Sequence, residues 1–572
     1  MNILGINAAF HDSSACLLID GKVVAAAEEE RFTRIKHHKR PRPFQSHALP
    51  FRAMHYCLGA GGLTLGDVDH VAYAFDPFPL VQRAGNAPVL RLPQTESEAG
   101  QGRGFDPWTS VFLAGITGAP LLLAEDLPWE LQDRLSGPPP PFRFVPHHVA
   151  HAASAYHPSP YEDAAVLTLD GYGGDATTTY WHGTGAELRP LGGVDLPHSL
   201  GLMYENVTAF LGYQRSSDEY KVMSMAASGR PVYLDAFREA IRLDGNGCYR
   251  TDLRALEGRL GAPRRRGEPL EQRHFDVAAS LQEALEEAVL QLAAWLHAAT
   301  GADALCAAGG VALNCKLNGR LRVDGPFRRM WVQPAAGDAG TALGAALHLH
   351  AELGGGRAWR MDHAYLGPGA SDGEIETVLR RAGVAYRRMD DVAGETAAVL
   401  ADEKLIGWFQ GRMEFGPRAL GARSILASPR HAGTRDRLNA VKSREAYQPV
   451  APMVPLESAS EWFVEGDDSP YMLFVGRVRE DRQHQIPAVR HGDGTARVQT
   501  VRREINPRLH GLLRAFEART GVPVLANTSF NLREEPVVCT PSDALRTYFT
   551  SPLDALVLGS FLLEKPAPTV QS

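Results

Sequence analysis

"NILGINAAFHDSSACLLIDGKVVAAAEEERF", residues 2–32, reads as strand, polar turn, strand, an Asp20-Gly21 hairpin turn and a third strand, because its apolar runs are punctuated by turn residues. The plan returns at residues 164–193, "AAVLTLDGYGGDATTTYWHGTGAELRPLGG": a strand to Leu169, an Asp-Gly-rich turn at Asp170–Gly174, a Thr-rich strand, a Gly turn and another strand. Two meanders on one plan imply an internal duplication. The expected result is a pair of related lobes whose polar turns face each other across a cleft, an ATPase-like α/β architecture.

Working outward, "PFRAMHYCLGAGGL" predicts a helix closed by glycine, "VDHVAYAF" a strand, and "SGPPPPFRFV" a loop entering a strand. Leu90 to Leu122 carries little periodic signal and reads as a variable insertion. "FDVAASLQEALEEAVLQLAAWLHA" is a long amphipathic helix, followed by the strand-Gly-Gly join "ALCAAGGVALN" and a second such join, "WVQPAAGDAGTALGAAL". Gly and polar residues accumulate around "AELGGGRAWRMDHAYLGPGAS", which places a boundary near 355–370 and leaves about 200 residues for a separate core. The expected domains are 1–360 and 361–572.

The 572 residues carry 59 basic and 66 acidic side chains, a net charge of -7 that argues against a protein whose main business is holding a polyanion. Six cysteines without a CxxC pair fit neither a zinc ribbon nor a disulfide framework, so a reducing, cytoplasmic setting is expected. The N-terminus "MNILGINAAF" shows no basic leader, and no run of about 18 apolar residues occurs. No membrane attachment and no nucleic-acid partner are expected.

"FVPHHVAHAASAY" holds His147, His148 and His151. On a helix starting near Pro146, His147 and His151 share a face and His148 points elsewhere. They form half of a metal site or pack as buried and capping histidines. Asp170 in "LTLDGYGG" and Asp338 in "PAAGDAGTA", each placed at the end of a predicted strand, could complete a two-His, two-Asp set suited to Fe(II), Mn(II) or Zn(II). Equally, each could be a turn aspartate satisfying local N–H groups. Gly309 to Asn314 and Gly337 to Gly344 offer backbone N–H groups near helix starts, where an anion is favoured. His11, with Asp12 in the first polar turn, is a candidate general base. Toward the C-terminus, Arg412, Arg418, Arg423, Lys442, Arg444 and Arg497 are too dispersed for a charge run. Ser529 and Asn531 flank Phe530 so that both can face one side of an extended segment.

Taken in order, "GINAAFHDSSACLLIDGKVVAAAEEERFTRIKHH", "HHVAHAASAY", "GGVALNCKLN", "GDAGTALGAA", "GWFQGRMEFGPRALGARSIL", "VKSREAYQPVAP", "DGTARVQTV" and "NTSFNLREEP" closely resemble the NodU/CmcH family of O-carbamoyltransferases, from the first strand to the last sheet. The resemblance implies a duplicated ASKHA-like (actin/Hsp70-type) N-terminal domain joined to a YrdC-like C-terminal domain. It implies that the second forms carbamoyladenylate from carbamoyl phosphate and ATP, with Mg accompanying the ATP, and that the first transfers the carbamoyl group to an alcohol. Lys442, Arg444, Ser529 and Asn531 carry over as the KxR and SxN signature, with Arg497 and Arg418 as further anion ligands. His147, His151, Asp170 and Asp338 carry over as metal ligands, with iron as the family's metal and His148 outside the set. Gly309, Gly310 and Asn314 map against the nucleotide part of carbamoyladenylate. Lys221 carries over, while Ser224 and Ser228 depart from the family's wording. His11 matches the position nearest the acceptor hydroxyl.

Three rival readings stay open at this level: an ASKHA-type small-molecule kinase, a protein of the tRNA threonylcarbamoylation pathway, and a scaffold without turnover. The acceptor, a small molecule of natural-product type, has no readable code, and a homodimer is an open assembly.

Overall fold

The computed structural model describes residues 1–38, 49–76, 81–84, 87–90, 134–135 and 140–565, so the insertion expected up to Leu122 lies outside the described residues beyond Leu90. The chain divides into two compact units, Met1–Met361 and Asp362–Ser572. Among the described residues no helix is long and apolar enough to cross a membrane.

The first unit holds two five-stranded sheets of one topology. In the first lobe β1 (Asn2–Asn7), β2 (Ser14–Ile19) and β3 (Lys22–Glu28) form the antiparallel meander, and β4 (His70–Tyr73) adds in parallel to β1. After a small hairpin, β5 (Val81–Ala84) and β6 (Ala87–Leu90), the sheet closes with β7 (Phe142–Phe144), giving the order β3-β2-β1-β4-β7. In the second lobe β8 (Asp163–Gly173), β9 (Ala176–Thr184) and β10 (Glu187–Asp195) repeat the meander. A side hairpin follows, β11 (Ile241–Gly245) with β12 (Cys248–Thr251). Then β13 (Ala304–Ala308) and β14 (Arg329–Val332) add in parallel, giving β10-β9-β8-β13-β14. Strand for strand and sense for sense, this is the ASKHA-like duplication read from the sequence.

A helix follows the fifth strand of each lobe, His147–Tyr156 in the first and Ala339–His350 in the second. Each crosses to the other lobe: His147–Tyr156 packs on β8 and β13, Ala339–His350 on β1 and β2, and the two pack on each other. Small residues permit the close crossing. A Cβ on Gly344 would stand 1.8 Å from the Ala150 carbonyl oxygen, and Ala150, Ala152, Ala153 and Ala155 are buried on every side of the partner helix. Burial all round, rather than an apolar stripe, marks both as central helices. The first lobe's outer core is Leu4, Ile6 and Leu17 with Met54 and Leu58 of the Phe51–Gly61 helix. The 29-residue helix Gln272–Thr300 supports the second lobe.

The second unit is the α/β unit named YrdC-like above, built on a mixed sheet. Its strands are β15 (Arg387–Arg388), β16 (Ile406–Phe409), β17 (Arg423–Ala427), β18 (Ala451–Pro455), β21 (Gln499–Val501), β22 (Leu525–Ser529), β23 (Ala555–Leu558) and β24 (Phe561–Glu564). They run in the order β15-β24-β23-β16-β17-β22-β18-β21, while β19 (Val475–Arg477) and β20 (Thr495–Arg497) pair separately. Trp408, Phe409, Ile425, Phe516, Phe530 and Val557 centre its core.

Two local expectations change. β8 does not stop at Leu169 but continues through a register shift to Gly173, so Asp170 sits in a bulged strand end rather than a turn. Asp338 does not end a strand: β14 stops at Val332, and Asp338 is the N-cap of the Ala339–His350 helix.

Candidate functional site

The crossing of the two central helices brings their N-termini together. His147 and His151, one turn apart on the first, meet Asp338 from the second and Asp170 from the β8 bulge, and all four are buried. The Nε2 atoms of the two histidines lie 3.0 Å apart. His147 Nε2 is 3.4 Å from Asp170 Oδ2 and 3.7 Å from Asp338 Oδ1, and His151 Nε2 is 3.7 and 3.6 Å from the same two atoms. Donors about 2.1 Å from one ion stand about 3.0–3.4 Å apart in octahedral or tetrahedral arrangements, so the four atoms fit one small cation with slight contraction.

Two further observations bear on that fit. Asp338 Oδ1 is buried without a hydrogen-bond partner, and two Nε2 atoms facing each other at 3.0 Å cannot both carry protons. Lone pairs converging on a cation remove both difficulties. Burial opposes a charge on His151, but the Asp170 and Asp338 carboxylates beside it outweigh burial and lift its pKa to about 9. That proton stands where a divalent ion would sit. Tyr172 and the ring of Phe10 wall the site, Phe10 lying edge-on to His147 with centroids 4.7 Å apart. A Cβ on Gly173 would fall 2.1 Å from the His147 ring, so only glycine lets the bulge close over it.

His148 has a different occupation. Its Nε2–H donates to the Ala176 carbonyl at 3.0 Å, and its Nδ1 accepts from Thr168 Oγ1 at 2.7 Å. Thr168 is bonded to Thr179 at 2.6 Å, which accepts from Trp181 Nε1 at 2.8 Å. With both nitrogens used and burial holding its pKa down near 3, His148 is a neutral tie between helix and sheet.

Gly309 and Gly310 lie beside the cluster, but not as an open anion cradle. The Gly309 N–H is spent on the Ala336 carbonyl at 2.8 Å, and the Gly310 N–H donates to Asp170 Oδ1 at 2.8 Å and so orients the site's own carboxylate. Asn314 caps the Cys315–Asp324 helix and exchanges hydrogen bonds with Gln282, which turns its amide inward. Lys221 lies 3.1 Å from Asp218 and 5.4 Å from the Tyr213 ring centroid.

His11 and Asp12 stand at the mouth of the cluster. The His11 N–H is 3.4 Å from Asp338 Oδ2, and His11 Nδ1 is 2.9 Å from Asp12 Oδ2. Asp12 Oδ1 meets a residue to which the sequence reading gave no role: His37, whose Nδ1 lies 2.8 Å away. His37 sits in "RIKHHKR", which has the look of a solvated basic run, and no spacing signal singles it out. Asp12, Glu30 and His37 also come within metal-ligand reach of one another. There, however, both Asp12 oxygens face imidazoles, and Glu30 is engaged by Arg31 at 2.9 Å and by the His37 N–H at 2.7 Å. Those contacts satisfy the donors without an ion.

In the second unit Lys442 of the KxR pair comes together with the SxN residues, while Arg444 turns to Asn439 and the Pro449 carbonyl. Lys442, at the C-cap of the Gly433–Val441 helix, reaches the Ser529 carbonyl at 2.6 Å, Ser529 Oγ at 2.9 Å and Asn531 Oδ1 at 2.5 Å. Ser529 Oγ–H donates to Asn531 Oδ1 at 2.7 Å, and Arg444 Nε donates to Asn439 Oδ1 at 2.5 Å. Ser529 ends β22 and Phe530 is buried, which leaves Ser529 and Asn531 on the side of Lys442. Arg497 ends β20 with a buried Nε that has no hydrogen-bond partner, and Arg418 lies in the β16–β17 connection. Two other arginines of the dispersed set serve the backbone. Arg412 donates to the Gly367 and Leu366 carbonyls, and the fully buried Arg423 donates to those of Gln410, Ala422, Pro368 and Gly411.

Comparison with known proteins matches two family models, described as Carbamoyltransferase N-terminus over residues 2–347 and Carbamoyltransferase C-terminus over residues 397–565. An uncharacterised protein of Synechocystis is 41% identical over 99% of this chain and 97% of its own length. Nodulation protein NolNO of Sinorhizobium fredii is 43% identical over 98% of this chain and 80% of its own. A 3'-hydroxymethylcephem-O-carbamoyltransferase of Amycolatopsis lactamdurans is 39% identical over 44% of this chain and 47% of its own. Among solved structures, a ROK family glucokinase from Streptomyces griseus, 14% identical, aligns over 60% of this chain and 98% of its own at a TM-score of 0.28.

Proposed function

This chain belongs to the carbamoyltransferase family, and we propose that it moves the carbamoyl group of carbamoyl phosphate, through carbamoyladenylate, to a hydroxyl of a small molecule of natural-product type. The observation that carries the reading is the buried His147, His151, Asp170 and Asp338 cluster with His11 at its edge, in the first unit, while Lys442, Ser529 and Asn531 gather in the second. Two differently equipped sites suit two reactions, activation and transfer.

Carbamoyl phosphate is a modest donor toward an alcohol. Exchanging its phosphate for AMP, with pyrophosphate released, makes a mixed anhydride whose leaving group a nucleotide site can hold. Lys442, Arg444 and the two arginines, Arg418 and Arg497, are the groups assigned to the anions of that step, with Mg accompanying ATP. In the first unit, Gly309 and Gly310 fix Asp170 and its surroundings, and Asn314 and Lys221 flank the nucleotide part of the intermediate. A divalent ion held by the four ligands, Fe(II) by family resemblance with Mn(II) and Zn(II) also suited to the donor set, supplies charge stabilisation when bound. His11, oriented by Asp12, accepts the hydroxyl proton as the alcohol oxygen attacks the carbamoyl carbon. An alcohol is the acceptor class because one relative, the cephem enzyme, is named for O-carbamoyl transfer and its name specifies a hydroxymethyl group.

The test is turnover of labelled ATP. Pyrophosphate release that depends on carbamoyl phosphate, with a carbamoyl mass added to one member of a panel of hydroxylated metabolites, is the expected result. ADP with a phosphorylated product would replace this reading by a kinase.

A further inference from the structure

The geometry points to His37 as a positioning residue that, by holding the second oxygen of Asp12, fixes the ring of His11 with its proton on Nδ1. It rests on the reading of His11 as the base. The Asp12 carboxylate stands between two imidazoles, 2.9 Å from His11 Nδ1 through one oxygen and 2.8 Å from His37 Nδ1 through the other. A carboxylate only accepts, so both Nδ1 atoms carry hydrogen. Nε2 of His11 is then the ring's accepting nitrogen, the form a base needs. Asp12 itself is held ionised: burial opposes its charge, but His37 and His11 together draw its pKa well below the ordinary range.

His37 is anchored as firmly as the carboxylate it holds. Its backbone N–H donates to Glu30 Oε2 at 2.7 Å, its carbonyl accepts from the Asp12 N–H at 3.3 Å, and its Nε2 lies 3.2 Å from Ser217 Oγ. Ser217 belongs to the second lobe, between the helices Leu200–Phe210 and Glu219–Ala226, so the imidazole also ties the two lobes together at the cleft. Both Asp12 (φ 50°) and His37 (φ 58°) occupy the left-handed region, which side chains other than glycine enter at a cost. Two neighbouring residues held in that region, each facing the other's side chain, mark an arrangement kept for its orientation. A carboxylate with one anchored oxygen can swing about its Cβ–Cγ bond, whereas one gripped at both cannot. This grip is what His37 adds.

The test is the nitrogen spectrum of the protein labelled with 15N-histidine and loaded with Zn(II), which is diamagnetic. The His11 signals are assigned by their loss in His11→Asn. In the wild type the His11 ring should show protonated Nδ1 and unprotonated Nε2. His37→Ala should convert this to a mixture of both tautomers, and His37→Asn, whose amide nitrogen replaces Nδ1, should restore the wild-type pattern. Zinc content should stay at the wild-type level in both variants, since His37 is not among the four ligands. An unchanged His11 pattern in His37→Ala, equal loss in the Asn variant, or loss of zinc would each overturn the assignment. Failure of the wild type to release pyrophosphate would instead overturn the function and leave these spectra standing.

Discussion

At the buried His and Asp cluster, exchanging one of the four proposed ligands should separate metal binding from folding. Asp338→Asn keeps the helix cap's shape but removes the charge that faces His147, His151 and His11, so bound metal measured by elemental analysis should fall from stoichiometric to near zero. Thermal unfolding monitored by circular dichroism should still give a folded protein. His148→Gln should leave metal content intact, because His148 spends both nitrogens on Thr168 and Ala176. A different histidine, His157, should add to acid sensitivity in the same sense as the buried, neutral His148. His157 is buried with neither ring nitrogen hydrogen-bonded, and burial, followed by the charges of His348, Arg357 and His350, depresses its pKa to about 3. The unfolded chain takes up that proton near pH 6.5 and the native chain does not, so stability is present above about pH 6.5 and declines as pH falls toward 3, by about 1.4 kcal/mol per unit. Urea unfolding at pH 6.5 and pH 5 should therefore show a smaller loss for His157→Leu than for the wild type. The spacing of His147 and His151 was readable because it follows from helical periodicity. The pairing of His37 with Asp12 was not, because it depends on two left-handed residues that no sequence period announces.

At the scale of elements, the duplicated meander was legible because alternating apolar runs and Asp-Gly turns are local signals. What the local reading missed is tertiary in origin. The Gly-rich run after Leu169 has turn composition, yet pairing of Gly173 with Ala176 keeps it in the strand and turns Asp170 toward the histidines. Likewise "GDAGTALGAAL" tells of a helix but not that Gly344 lets it lie against Ala150 of its counterpart. Gly344→Ala tests that crossing. With 1.8 Å available between the new Cβ and the Ala150 oxygen, the helices must separate, at a cost of about 1–3 kcal/mol typical of overpacked cores. The separation also pulls Asp338 from His147 and His151. A lowered melting temperature together with weakened metal binding is the expected pair of results, and a lowered melting temperature alone would show that the cluster tolerates the shift.

At the scale of the whole molecule, the net charge of -7 is an average over two compact units to which the proposed function gives different chemistry. Lys442 is a nearly buried ammonium held by Ser529 and Asn531, whose positions are fixed by the end of β22 and by Phe530 in the core. If activation belongs to this unit and transfer to the other, substitutions should dissociate the two half-reactions. Lys442→Ala removes the ammonium that binds Ser529 and Asn531 together, and should lower carbamoyl phosphate-dependent pyrophosphate release by at least about 100-fold, the scale for losing a preorganised charged donor. Asp338→Asn, 104 positions away in sequence and in the other compact unit, should leave the first burst of pyrophosphate at wild-type size while no carbamoylated alcohol accumulates. Rapid quenching with labelled ATP reads the burst, and mass spectrometry reads the product. The converse pattern, with Lys442→Ala sparing pyrophosphate release and Asp338→Asn abolishing it, would reverse the assignment, since the unit bearing the His and Asp cluster would then be the one that activates the carbamoyl group.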